Sequence, residues 1–284
     1  MCKKYYMQCI INELNINLTN DIDENENKNN NTYKKININE KNIINKHKSY
    51  MKKYKINIDE NMMKLPNFYA MPKMHKKIPK MRYIAASNRC TTKQLSNIIT
   101  KCLKLITHQH KIYCNTIFKR TGVNRMWVIN NSNDVLDKID EYNDTKNIKN
   151  VNTYDFSTLY TNIPHKDLKD KMLWVIDKAF NNKKYIYVSN NTNLDATWYK
   201  LKNAINIDKN TLIKHITYLI DNVYISVNNN VFRQVIGIPM GTDCAPFLAN
   251  LYLYALEYKF LEQLTHDDID TGRRFSNSYR YIDD

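Results

Sequence analysis

Three acidic positions carry the clearest chemical signal in the sequence. Asp155 lies in the run TYDFSTLYTNIP (153–164), near the end of an expected short strand from Val151 to Phe156. Asp283 and Asp284 stand side by side in RYIDD (280–284). Adjacent carboxylates repel unless a cation or a turn separates them. A strand leading into Asp-Asp puts the pair at the tip of a hairpin. With that tip beside Asp155, the three carboxylates could hold two magnesium ions. Such a pair of ions serves phosphoryl transfer: one activates an attacking hydroxyl, and the other neutralises a triphosphate and its leaving pyrophosphate. Each motif alone is weak, because an Asp at a strand end is ordinary and a terminal Asp-Asp is commonly just solvated.

The elements that must position these residues are marked by punctuation. All six prolines fall in four places: Pro66, Pro72 and Pro79; Pro164; Pro239; Pro246. Two of the four glycines, Gly237 and Gly241, flank Pro239 and Met240. In a chain this poor in Gly and Pro, they mark backbone geometries that other residues do not replace easily. Thr91 and Gln94 match a capping box, followed by the helical stripe Leu95, Ile98, Ile99, Cys102 and Ile106. Leu168, Met172, Val175, Ile176 and Ala179 recur at helical spacing after Pro164, and Leu212, Ile216, Leu219 and Ile220 mark another helix. Val223 to Val227 and Val231 to Ile236 flank Asn228-Asn229-Asn230, a hairpin signal. A further helix is expected from about Thr242 to Leu264. Strand, helix, helix, hairpin, helix, strand is an α+β order.

The net charge of +15 is unevenly placed. Residues 61–133 hold no Asp or Glu but fourteen Lys and Arg. With Tyr69, Tyr83 and Tyr113 among them, this block suits a polyphosphate partner such as nucleic acid; a solvated basic surface is the plainer alternative. None of the six cysteines forms a CxxC pair, and His108 and His110 do not complete a zinc spacing with Cys102 and Cys114. Reduced, mostly buried thiols in an intracellular protein, nuclear or cytoplasmic and not secreted, are expected. No apolar run approaches the roughly 20 residues of a membrane helix, so no membrane partner is expected. Residues 1–60 read as a low-complexity, partly disordered region, with the polar run at 21–32 at its centre.

Four segments, in order, carry a resemblance. LPNFYAMPKMHKKIPKMRYIAAS (65–87), TYDFSTLYTNIP, VFRQVIGIPMGTDCAPFLANLYLYALE (231–257) and RYIDD resemble the fingers motifs and motifs A, B and C of reverse transcriptases. The wording of LYTNIP, GIPMGTDCAP and PKMHK is most similar to Penelope-like retroelements. The resemblance covers about Leu65 to Asp284. It implies a right-hand polymerase: fingers at about 65–134, and a palm at about 150–284 built on an antiparallel sheet backed by helices. The chain stops at the second Asp of motif C, so the palm is expected to be incomplete at its C-terminus, to lack a thumb, and to be poorly soluble through an exposed sheet edge.

The implied activity is RNA-directed DNA polymerisation, in which a primer 3′-hydroxyl attacks a dNTP on an RNA template with two Mg2+ ions, or Mn2+ in their place. Asp155, Asp283 and Asp284 are the implied catalytic carboxylates, and the Phe156 carbonyl completes a metal shell. Tyr160 matches the aromatic under the incoming sugar that excludes a 2′-hydroxyl, although core packing is the plainer role for a tyrosine. Lys73 and Arg82 are implied triphosphate contacts, Arg82 preferred for its bidentate fork. Gln234 and Gly237 are assigned to the nucleotide; Lys76, Pro239, Met240 and Gly241 are assigned to template and primer, unless the Gly-Pro loop is a plain turn before a helix. A chain with these motifs can also be an inactive truncated relic that binds nucleic acid only. A viral RNA-dependent RNA polymerase fits less well, because Tyr160 opposes the ribose hydroxyl.

Overall fold

A computed structural model describes residues 2–14, 16, 32–74, 80–129, 131, 133–145, 151–156, 158–189 and 195–281. Its elements in chain order begin with α1 (Lys3–Glu13), β1 (Tyr33–Ile36), α2 (Glu40–Lys53), β2 (Asn67–Lys73), β3 (Lys80–Ala86) and α3 (Lys93–Thr121). Then follow α4 (Asn133–Thr145), α5 (Leu159–Asn162), α6 (His165–Phe180), β4 (Ile186–Ser189), β5 (Ala196–Thr197) and β6 (Ala204–Ile207). The last are α7 (Lys209–Asp221), β7 (Tyr224–Val227), β8 (Asn230–Gln234), α8 (Ala245–Asp267) and α9 (Ile269–Arg274). The chain divides into two compact units. One is Met1–Thr100, Tyr160–Lys169 and Asn210–Ala245; the other is Lys101–Leu159, Asp170–Lys209 and Pro246–Asp284. The two interleave along the chain.

The first unit holds a five-stranded sheet in the order β1-β8-β7-β2-β3. Its pairings are antiparallel except β2 with β7, which meet in parallel through Asn67 and Ser226. The hairpin β7–β8 is as expected but tighter. Asn228 and Asn229 take φ of 46° and 64°, and Asn230 already pairs with Val227. Asparagine tolerates the left-handed region, which a two-residue hairpin turn matching strand twist requires. The hairpin's residues alternate between two cores. Ile225 and Phe232 join Phe68, Ala70, Ala85 and Tyr33 against Ile10 and Leu14 of α1, whereas Tyr224 and Val231 join Leu65 and Ile43 of α2. The sheet is therefore backed by helices on both faces.

Residues 1–60 supply part of this sheet and both of those helices, where composition predicts a low-complexity region. β1 pairs with β8 from Tyr33 opposite Gln234 to Ile36 opposite Val231. The polar run at 21–32 lies outside the described residues except for Thr32. Helix α3 starts at Lys93, one residue later than a Thr91 cap requires, and the Thr91 hydroxyl is bonded to His47 Nδ1 at 2.6 Å instead. Its stripe is buried as expected at Leu95, Ile99, Cys102 and Ile106.

In the second unit, α3, α6 and α8 bury Leu103, Ile106, Met172, Ile176, Tyr254 and Tyr258. His110 lies among them: its Nε2–H donates to the Val175 carbonyl at 2.9 Å, and Tyr254 OH donates to its Nδ1 at 3.0 Å. Both ring nitrogens are satisfied in the neutral form, and burial pulls the imidazole pKa down to about 4. The segment around 181–206 forms a small antiparallel sheet, β5-β4-β6. Cys90, Cys102, Cys114 and Cys244 are buried free thiols; Cys2 is exposed, and Cys9 is half-buried. No described helix is long and apolar enough to cross a membrane.

Two expected strands are absent among the described residues. Residues 151–156 have no regular structure and are exposed, with Tyr154 at 81% and Phe156 at 48%. A β-segment needs a partner for its backbone groups, and no described strand pairs with this one. At the other end, Arg280 forms only an isolated parallel bridge with Val128.

Candidate functional site

Residues 235–244, between β8 and α8, form a loop held from two sides. On one side, Ile238 N–H donates to the Tyr160 carbonyl at 2.7 Å, and Gly237 N–H donates to Ile163 O at 2.8 Å. His165 Nε2–H donates to Gly237 O at 2.9 Å, and Pro164 bridges Ile236. On the other side, Ala85 N–H of β3 donates to Met240 O at 3.1 Å, and Ser87 Oγ donates to Gly241 O. The two glycines make this possible. Gly237 and Gly241 have φ of 87° and 113°, where side chains are strained. A Cβ on Gly237 would overlap the Tyr160 carbonyl oxygen, and one on Gly241 would overlap the Ala85 carbonyl oxygen. Close backbone approach is thus the role of both glycines, as their type implies, but the backbone approached is the chain's own.

The start of α3 is tied to the end of the same loop. Lys93 Nζ meets Asp243 Oδ1 at 2.7 Å, and Cys244 N–H donates to Ser96 Oγ at 3.3 Å. Burial raises the Cys244 thiol to about 11. Behind the loop, Asp221 takes Lys169 at 2.5 Å and Arg233 at 3.8 Å. Burial lowers the His165 pKa, the nearby Lys169 and Arg233 charges acting the same way and Asp221 and the Gly237 carbonyl against it.

These contacts place the expected site residues as follows. Tyr160, Gln234, Gly237, Pro239, Met240 and Gly241 come together. Gln234 is 2% exposed, and its Nε2 donates to Ile236 O at 3.0 Å. That bond holds the loop, in which Gly237 and Pro239 are buried as well. Tyr160 is half-buried and Met240 is half-exposed.

On the β2–β3 ladder, Lys73 faces Lys80 and Met71 faces Arg82. Period-two alternation puts Lys73, Lys80 and Arg82 on one face with Ile84, opposite the face that packs on α1. Arg82 is exposed and Lys73 half-exposed. Ile84 Cγ2 would lie 3.6 Å from a Cβ at Gly241, so this basic face adjoins the loop.

Asp155 and the Phe156 carbonyl lie on the exposed 151–156 segment of the other unit. Lys76, Asp283 and Asp284 lie outside the described residues. Among the described residues no three His, Cys, Asp or Glu side chains gather as metal ligands.

Sequence reasoning missed His165, Ser87, and the pairs Lys93–Asp243 and Ser96–Cys244. It also missed Arg280, which is 5% exposed. Arg280 grips Glu257 of α8 at 2.5 and 3.1 Å and donates to Asn250 Oδ1 at 2.8 Å and Asn250 O at 3.1 Å. Only the Arg in RYIDD hinted at it. This grip anchors the segment that leads into Asp283.

No family model matches the sequence, and no curated protein matches it either. Solved structures do. Telomerase from Candida albicans, in a complex with the TWJ fragment of telomeric RNA, matches 84% of this chain with a TM-score of 0.50 and 16% identity. The fold is reverse-transcriptase-like. Apo telomerase from Candida tropicalis matches 80% of the chain at 15% identity, with a TM-score of 0.46. The chain spans 41% of the Candida albicans telomerase chain. Its mixed α/β architecture, with a helix-backed sheet, agrees with the class expected from the order of its elements.

Proposed function

We propose that the chain is the fingers and palm portion of an RNA-directed DNA polymerase, of the kind found in Penelope-like retroelements. Its substrates are an RNA template, a DNA primer and dNTPs. The observation that supports this most is the bond from Ile238 N–H to the Tyr160 carbonyl. It joins the motif A aromatic to the motif B loop, and the bond from Ala85 to Met240 joins the same loop to the basic strand β3. These are the segments that nucleotide selection needs side by side.

Arg82 and Lys73 take the triphosphate, the guanidinium as a two-pronged donor. Tyr160 faces the incoming sugar and rejects a 2′-hydroxyl. Met240 and the exposed Gly241 backbone border the template base pair. The Asp155 carboxylate and Phe156 carbonyl are hard oxygen donors on an open segment, which fits magnesium or manganese. With Asp283 and Asp284 they would hold two ions, whose chemistry is to activate the primer 3′-hydroxyl and neutralise the leaving pyrophosphate.

A second reading, nucleic-acid binding without synthesis, is favoured by one observation: the Asp155 segment is exposed and has no strand partner among the described residues. Incorporation from a primed RNA template decides between them. Template-directed use of dNTPs over rNTPs, relaxed by Tyr160→Ala, supports the polymerase; retained binding without incorporation supports the second reading.

A further inference from the structure

We infer that the outer face of α2 is a second nucleic-acid contact that grips backbone phosphates, apart from the polymerase motifs. The helix has 14 residues and is about 21 Å long at 1.5 Å per residue. Its inner face is fixed: Ile43, His47 and Met51 are buried, and Tyr50 stacks on Tyr218 of α7 with centroids 3.5 Å apart. Its outer face carries Lys41, Lys46, Lys48, Lys52 and Lys53, all exposed. Lys41, Lys48 and Lys52, spaced by seven and four, form one stripe. No acid interrupts it. The helix's one acid, Glu40, accepts Leu65 N–H at 3.2 Å.

A helix face that only needs solvation ordinarily mixes Glu with Lys at i,i+4, and like charges at that spacing destabilise. Here Lys48 and Lys52 are such a like pair. Among the described residues none of the five lysines has an ion-pair partner. The uncompensated charge is tolerated because the buried face anchors the helix.

The partner's class follows from what the face lacks. It exposes no large apolar side chain to enter a bilayer, because Ile43 and Met51 point inward. The neighbouring rings of Tyr50 and Tyr218 stack on each other, and Lys53 Nζ lies 5.6 Å from the Tyr54 centroid. These rings leave little open surface for bases. The face offers charge without a base-reading platform, so it binds a phosphodiester backbone without sequence preference.

The test is fluorescence anisotropy with labelled single-stranded RNA and DNA oligonucleotides across a salt series. The full chain is compared with a Lys41→Gln/Lys48→Gln/Lys52→Gln variant and with a Lys3→Gln/Lys4→Gln/Lys34→Gln control. The slope of log affinity against log salt is expected to fall by about 2 to 3 in the α2 variant and to hold in the control. Loss with RNA alone, or with both strands, identifies which backbone is held. Equal slopes in variant and control, or no change in either, overturn the inference. Tighter binding to phosphatidylserine vesicles than to either oligonucleotide overturns it in favour of a membrane. An Asp155→Ala protein that extends no primer must still show the effect, which separates this inference from the proposed activity.

Discussion

Ile238 N–H donates to the carbonyl oxygen of Tyr160 at 2.7 Å, closing the 235–244 loop onto the short helix α5. That bond exists because Gly237, with φ of 87°, leaves room for the Tyr160 carbonyl. Gly237→Ala and Gly241→Ala are each expected to destabilise the fold by more than about 2 kcal/mol, combining left-handed backbone strain with backbone overlap. Gly272→Ala meets only the Val123 and Leu264 side chains at ordinary φ and is expected to change stability by less than about 1 kcal/mol. Urea denaturation of the three variants checks the order.

Arg280→Ala strands Glu257, which is 11% exposed, without its buried counter-charge. A loss of about 3–5 kcal/mol is expected by thermal or chemical denaturation. Arg280→Lys should recover little, since an ammonium cannot span both carboxylate oxygens and Asn250 as the fork does. The double variant Arg280→Met/Glu257→Leu should recover most of it.

Acidification should weaken both units through buried histidines. His47 and His110 are held near pKa 4, mainly by burial, with Lys46 and Lys178 adding to the effect. The unfolded chain, titrating near 6.5, binds the extra protons between those values. Stability is therefore complete above about pH 6.5 and falls as pH drops toward 4, by roughly 3 kcal/mol for each histidine. His110→Leu should flatten its share of the slope while lowering the plateau, because Val175 O and Tyr254 OH each lose a hydrogen bond to the ring. Denaturation midpoints between pH 4 and 7 report both.

Local signals carried much of this fold. The helical stripes after Pro164 and Lys93, and the Asn-rich hairpin, are short-range patterns, and the structure has them with boundaries shifted by a few residues. Partners distant in sequence were not legible. Lys93 and Asp243 are 150 residues apart, and nothing in either neighbourhood announces the pair. The role of residues 1–60 was hidden for a related reason. β1 is four residues of Tyr-Lys-Lys-Ile, an edge strand with two outward lysines, and its composition resembles its surroundings. Residues 151–156 have strand propensity, but propensity alone cannot supply the neighbouring strand that a β-segment's backbone requires, and no described strand lies beside them.

For the site, the sequence assigns Gly237 to the nucleotide and Gly241 to template and primer; in the structure both also make room for the chain's own backbone, at Tyr160 and Ala85. Gln234 was read as a ligand contact from its motif position. It is buried, and its Nε2 donates to Ile236 O.

The most direct test of the central claim is primer extension on an RNA template with magnesium and dNTPs, comparing the full chain with Asp155→Ala. Asp155 is exposed, so both proteins should share one denaturation curve. Template-dependent extension by the full chain, abolished by Asp155→Ala, is the expected result. No extension by either protein, with salt-sensitive nucleic-acid binding intact in both, would contradict it.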